Sequence, residues 1–319
     1  MANRWRKAIL KSNCRQMQTL GLLMSRSGSL KNRILALTLL QWGCLLVVHA
    51  GNEGFGTGPR SLGAGQVTSL FADAWSVHNN PGALGWIRRS VVTTAYDSRY
   101  GNPAFSQLSA ACALPHARYG TLGIGASRFG NEIFSQTRAM GAWAKTFGIA
   151  SVGLQAQYYG VQATEFPARH HFILGFGGLA RLTPALQFGA AISNITQTKA
   201  STYDNETLPT IVRGGILYAP VKSVKLLAEV QKDLDRETLV KGGLEYEFQE
   251  NFWLRTGFTT HTKVASGGFS FRWRDFDFDY GVSHHPELGW SHGIGIQFRF
   301  GKDSSLPSNT GPATPDPEK

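Results

Sequence analysis

Residues 269–282 read FSFRWRDFDFDYGV, and the alternation in this stretch limits what the chain can become. Large rings stand at Phe269, Phe271, Trp273, Phe276, Phe278 and Tyr280, while Ser270, Arg272, Arg274, Asp275, Asp277 and Asp279 fall between them. A period of two is the period of a β-strand, whose successive side chains point to opposite faces. WSHGIGIQFRF, at 290–300, repeats the pattern. From Arg88 to Phe300 this alternation dominates, and helical periodicity is nearly absent after residue 90.

The pattern predicts strands over 88–98, 104–114, 119–128, 133–146, 149–160, 168–181, 185–194, 209–219, 223–232, 237–248, 251–260, 264–274, 276–285 and 290–301, an even number of fourteen. Several reach ten residues or more, which is long for a soluble sandwich and right for tilted strands crossing a bilayer. A tight turn at Arg274-Asp275 pairs Trp273 with Phe276, Phe271 with Phe278, and Phe269 with Tyr280 on one face. It sets Arg272 opposite Asp277 and Ser270 opposite Asp279 on the other. Cross-strand pairs of these kinds add up to about 1 kcal/mol each. In water the ring face would be a long exposed apolar patch. Facing lipid it is stable, and closing the sheet pairs every backbone group. The expected fold is therefore an all-β, fourteen-stranded antiparallel transmembrane barrel. Its lipid-facing aromatics are Phe269, Phe271, Trp273, Phe276, Phe278 and Tyr280. Lumenal ion pairs are expected among Arg272, Asp277 and Asp279, and Glu245, Glu247, Gln155 and Gln157 also point inward. A soluble β-sandwich explains the alternation equally well. It does not explain strand length, connection lengths and the export signal together.

With the first strand running outward, connections after even-numbered strands are expected to be short inner turns, and those after odd-numbered strands longer surface loops. GVQATEFPA, ITQTKASTYDNETL, KDLDRE and HHPELG are the expected loops. The connection around Pro115–Arg118 reads as too long for this rhythm, and the one around His261–Lys263 as modest for it.

The formal net charge is +11, but its position argues against a nucleic-acid partner. Eight basic residues and no acidic one lie in the first fifty, so residues 51–319 carry only +3. Residues 1–50 read as an export signal, with Met24 as an alternative start. A basic opening leads to an apolar stretch from Ile34 and ends at Val48-His49-Ala50. A membrane anchor is the alternative, but Gln41, Trp42 and Gly43 interrupt the run. Cleavage after Ala50 would remove Cys14 and Cys44 and leave Cys112 alone, so no internal disulfide is expected. The expected location is the outer membrane of a Gram-negative bacterium.

Residues 51–87 do not alternate. Glycines cluster there, a short helix is expected around Gln66–Asp73, and Asn79-Asn80-Pro81-Gly82 is a turn signal. Such a segment ahead of a barrel could fold into the lumen as a plug. The run Gly58, Arg60, Leu62-Gly63, Gly65, Asp73, Asn80-Pro81 and Leu84 resembles the start of the PorV/PorQ family of outer-membrane barrels, and is similar to the related FadL-type transporters. Ala64 and Gly82 depart from the pattern. The stretch DYGVSHHPELGWSHGIGIQFRF (Asp279–Phe300) is similar to the family's ending. The resemblance implies a plugged fourteen-stranded barrel with plug-motif residues Gly58, Arg60, Gly63, Gly65, Asp73, Asn80 and Pro81. PorV-type members bind secreted-protein signal domains for type IX secretion. FadL-type members pass hydrophobic molecules.

Residues 302–319 are rich in Pro, Ser and Thr and read as a disordered tail. Catalytic chemistry is not expected. His170-His171 and His284-His285 point to opposite faces of their strands and cannot chelate as pairs. Asp277 and Asp279 share a face, but Arg272 opposite makes them an ion-pair ladder. No cofactor or metal is expected, and the glycine-rich runs lack the lysine and strand–helix frame of a phosphate loop. The sequence thus points to a non-enzymatic barrel. It either binds other outer-membrane or periplasmic proteins in secretion or envelope assembly, transports a hydrophobic ligand through its lumen, or is a scaffold.

Overall fold

The computed structural model describes residues 56–199, 207–234 and 236–304. Fourteen strands run along the chain: β1 (Ser90–Ser98), β2 (Ser106–His116), β3 (Gly120–Gly130), β4 (Phe134–Phe147), β5 (Ala150–Ala163), β6 (Phe166–Arg181), β7 (Leu186–Ser193), β8 (Ile211–Val221), β9 (Val224–Asp233), β10 (Leu239–Gln249), β11 (Phe252–Thr259), β12 (Val264–Trp273), β13 (Phe276–His285) and β14 (Gly289–Phe300). Each pairs antiparallel with its sequence neighbours, and β1 closes on β14. The barrel has no free edge, as a sheet in hydrocarbon requires.

The register follows the side chains. Trp273 faces Phe276, Phe271 faces Phe278, Phe269 faces Tyr280, and Arg272 faces Asp277 across the turn at Arg274-Asp275. Arg274 takes φ 55°, the left-handed conformation a two-residue hairpin needs. The rings of this hairpin are on the outside: Trp273 is 54% exposed and Phe271 45%. Leu154, Phe172, Ile216, Val230 and Phe258 are likewise exposed on other strands. A surface of this kind is at home in lipid, not in water. Among the described residues no helix is long and apolar enough to cross a membrane.

Three expectations change. Turns after even-numbered strands have two to four residues, as expected, and the one near Pro115 joins them. β2 continues through Pro115 to His116, which leaves only 117–119 as the turn. The opposite connections are shorter than read. GVQATEFPA is mostly strand, because β5 and β6 extend to a two-residue turn at Thr164-Glu165, with a bulge after Val161. HHPELG contracts to 286–288, and only 194–210 is long.

The expected helix at Gln66–Asp73 is absent. Helices form instead at α1 (Pro59–Gly63) and α2 (Ser76–Asn79), followed by a 3-10 turn over Pro81–Trp86. Gly65 and Gln66 take positive φ, and the amides of Thr68 and Ser69 donate to the Glu229 carboxylate. Those amides are therefore unavailable for helical bonding. Of the tail, Lys302–Ser304 are described, and Ser304 hydrogen-bonds the Arg88 carbonyl. The export signal, residues 51–55 and the rest of the tail lie outside the described residues.

Candidate functional site

Residues 56–87 lie inside the barrel. α1 packs on β11–β14, and the turn Pro81–Trp86 packs on β3–β7. Their partners are inward-facing residues nearly all the way round, which places the segment in the lumen.

One side of the segment is held by charge. Arg60 of α1 grips Glu245 of β10 with two hydrogen bonds, Nε to Oε2 at 3.0 Å and Nη2 to Oε1 at 2.9 Å. This fork-on-carboxylate geometry is among the strongest side-chain hydrogen bonding available. The same guanidinium lies 3.5 Å from Asp73 and 4.3 Å from the centroid of the Phe71 ring. Burial lowers the Arg60 pKa, but the carboxylates of Glu245 and Asp73 outweigh it, and the net displacement is upward. Burial raises the Asp73 pKa more than Arg60 lowers it.

Glu245 also accepts from Lys225 and Arg255, each at 2.7 Å. Arg255 extends the network to Ser270 and Asp279, which bond each other. Asp277 collects Arg272 at 2.7 Å, Arg299 at 3.0 Å and Gln297 at 3.0 Å. Asp277 and Asp279 therefore share a face but serve different arginines.

A second carboxylate on this side was not singled out from the sequence. Glu229 of β9 accepts the backbone amides of Thr68 (2.8 Å) and Ser69 (2.7 Å), the Ser69 hydroxyl (2.7 Å) and the Lys241 ammonium (3.0 Å). Lys241 also donates to the Gln66 carbonyl at 2.8 Å. Both charged side chains are almost fully buried. The signal in sequence is their inward parity on β9 and β10, but nothing local names residues 66–69 as their partner.

The other side of the segment is held by apolar packing on β1–β4 and, along β4–β6, by hydrogen bonds that Thr146 and Ser151 donate to the Gly85 and Gly82 carbonyls and Trp86 donates to the Leu179 carbonyl. Trp75, Val77, Leu84 and Ile87 bury against the alanines, Val91 and Met140 of β1, β2 and β4. Gly123 and Gly125 on β3 leave a furrow that Val77, His78 and Leu84 occupy. This seam was missed because alanine and glycine carry little apolar signal in a sequence.

The motif residues do local work. Gly58 takes φ 103° and lies against the Trp75 ring, and Gly65 takes φ 72° with its backbone on the Gly242 carbonyl and the Phe258 backbone, so neither site has room for a side chain. Gly63 touches the backbone of Gly267 and Gly268. Asn80 donates to Ser69 O at 2.7 Å and Gly178 O at 3.0 Å, and its Oδ1 accepts the Gly82 amide at 3.1 Å. Pro81 opens the 3-10 turn, where its missing N–H costs nothing.

Of the inward residues expected from alternation, Gln155 bonds the Val77 carbonyl and Met140. Glu247 and Gln157 are half-buried. The histidine pairs split between faces: His170 bonds Tyr158 at 2.6 Å, while His171 lies beside Tyr159.

No family model matches the chain, and no curated protein does. Solved structures do match. The monoaromatic hydrocarbon channel CymD has 14% identity and a TM-score of 0.61, covering 79% of this chain and 100% of that one. The toluene transporter TbuX of Ralstonia pickettii has 14% identity and a TM-score of 0.57, covering 77% of this chain and 99% of that one. The toluene transporter TodX of P. putida has 11% identity and a TM-score of 0.53, covering 78% and 100%. The fold is shared with these channels and transporters, and a closed fourteen-stranded barrel with this outer surface is a protein of the bacterial outer membrane.

Proposed function

We propose that the chain is a channel for hydrophobic small molecules. The observation that carries this reading is the apolar seam between residues 74–87 and the walls of β1–β4. A polar lumen alone would argue against such cargo. A continuous strip of alanines with Val91 and Met140 on the wall, facing Trp75, Val77 and Leu84 of the plug, offers it a route that water does not favour. The seam is filled in this structure, so passage requires residues 74–87 to lift from it. Arg60 and residues 66–69 can stay on β9–β11 while they do so once the hydrogen bonds of Asn79 to Thr57 and of Asn80 to Ser69, which tie the two parts together, are released. Hydrocarbon channels of the same fold, matched over nearly their whole length, support the reading.

The PorV/PorQ resemblance supports a second reading, a partner-binding component of a secretion complex. Its support is the motif at 58–84. Apart from 194–210, the outer connections are short and leave little surface for a partner.

The test is uptake by vesicles carrying the purified full-length chain, with radiolabelled toluene and oleate. Uptake of either faster than by empty vesicles is expected. No uptake of either, together with stoichiometric recovery of one envelope protein from native membrane, would replace the channel with the partner-binding barrel.

A further inference from the structure

The outer wall carries a feature that transport does not use. A groove of about 390 Å³ crosses β5–β8 on the outside of the barrel. Gly178 and Ala190 form its floor, and Val152, Phe176, Phe188 and Val212 stand around it. The pairing explains its course. Lys145 pairs with Val152, Val152 with Gly178, Gly178 with Ala190, and Ala190 with Gly214. Lys145 lies two residues from the end of β4 at the inner turn, whereas Gly214 lies seven from the inner end of β8. The line therefore climbs from the inner boundary of the membrane into its interior. Three strand spacings of about 4.8 Å from β5 to β8 make the groove roughly 14 Å long, the scale of a large part of an extended acyl chain, and one more spacing reaches Lys145.

Lys145, one strand beyond the groove and paired with Val152, sets a charge beside its lower end. It faces outward, its ammonium 5.9 Å from the Phe147 ring centroid. β2–β8 contain no aspartate or glutamate that could neutralise it. A lysine on the lipid side of a barrel is tolerated where its head reaches the interface and an anionic headgroup. A second copy docked on the same face would bring another Lys145 and another acid-free wall, so charge opposes that occupant.

We propose that this wall binds one anionic glycerophospholipid of the inner leaflet, with its phosphate at Lys145 and one acyl chain in the groove over Gly178 and Ala190. The bilayer supplies the ligand, and the site is independent of the channel reading.

The test is native mass spectrometry of the full-length barrel in mild detergent, titrated with phosphatidylglycerol or phosphatidylcholine. One phosphatidylglycerol is expected to be retained in preference to phosphatidylcholine. Lys145→Gln should reduce that preference about fivefold, the worth of one ammonium near an anionic surface. Ala190→Phe should abolish retention of both lipids. Gly214→Leu should weaken it, and that variant is safe for folding, since a Cβ there meets nothing within 4 Å. Heat-dependent gel mobility checks that each variant is folded. Equal retention of the two lipids, unchanged binding in both groove variants, or dimers in place of lipid adducts would overturn the proposal.

Discussion

Strands β2–β8 contain no acidic residue, whereas β1 and β9–β14 carry Asp97, Glu229, Asp233, Glu245, Glu247, Asp277 and Asp279 among Lys225, Lys232, Lys241, Arg255, Arg272 and Arg299. The inner segment is seated differently on the two sides. Against β1–β4 it is held by Trp75, Val77 and Leu84. Against β9–β13 it is held by Arg60 on Glu245 and by the amides of Thr68 and Ser69 on Glu229. Apolar contact has little direction and can open and re-form at intermediate positions. A forked ion pair or a carboxylate receiving two amides holds one geometry. Under the channel reading the contrast suits a segment that pivots, with the charged side fixed and the apolar side giving way once the hydrogen bonds of Gly82, Gly85 and Trp86 to β4–β6 are released.

The largest effect should come from Glu229→Ala, which leaves the Lys241 ammonium, 1% exposed, without its carboxylate. Removing one partner of a buried pair costs about 3–5 kcal/mol. Urea unfolding in vesicles would measure it. A loss below about 1 kcal/mol would show that the charged side is not the firmer hold.

Leu84→Ala comes next. It empties a fully buried site in the apolar seam, at about 2–3 kcal/mol. Leu84 and Glu229 share no partner, so the double variant should lose the sum within about 0.5 kcal/mol. A larger departure would mean that the two holds act as one and that no pivot exists. The channel reading adds a sign: Leu84→Ala should speed toluene uptake, while Glu229→Ala should not do so without also loosening the whole segment.

Arg60→Lys is smaller, about 1 kcal/mol. It keeps the charge but gives up the second hydrogen bond to Glu245 and the flat contact on Phe71. Hydrogen exchange of residues 59–66 should rise while that of residues 75–84 stays unchanged. Equal loosening of both stretches would again argue against separate holds.

How much of this was legible depends on sequence separation. Arg272 and Asp277 are five residues apart across a two-residue turn, and parity alone sets them opposite. The fourteen strands were readable for the same reason, since lipid outside and charge inside make alternation strong in β13 and β14. Ser69 and Glu229 are 160 residues apart, and nothing near either names the other. The seam was hidden because its barrel side is alanine and glycine, which become a binding surface only when Leu84 and Val77 fill the space they leave. The helix expected at 66–73 failed because a distant carboxylate claims its amides.

The effect that is smallest at neutral pH, and grows only in acid, concerns the apolar side. His78 is half-buried in the β3 furrow, with Nε2 3.1 Å from the Ala110 carbonyl. Burial, helped by the nearby Arg138 charge, lowers its pKa from the usual 6.5 to about 4, although the Ala110 bond acts the other way. Between those values the unfolded chain holds a proton that the folded chain refuses, so stability should fall as pH drops from about 6.5 towards 4, and should be indifferent to this residue above 6.5. His78→Gln keeps a donor for Ala110 and removes the titration. Its unfolding midpoint should therefore depend less on pH than the parent's between 6.5 and 4. Arg138→Gln should move the parent's fall to lower stability loss by easing the repulsion. If both variants track the parent at every pH, His78 is not held neutral, and the seam is wetter than its lining implies. In that case the apolar side would be the poorer route for a hydrophobic solute.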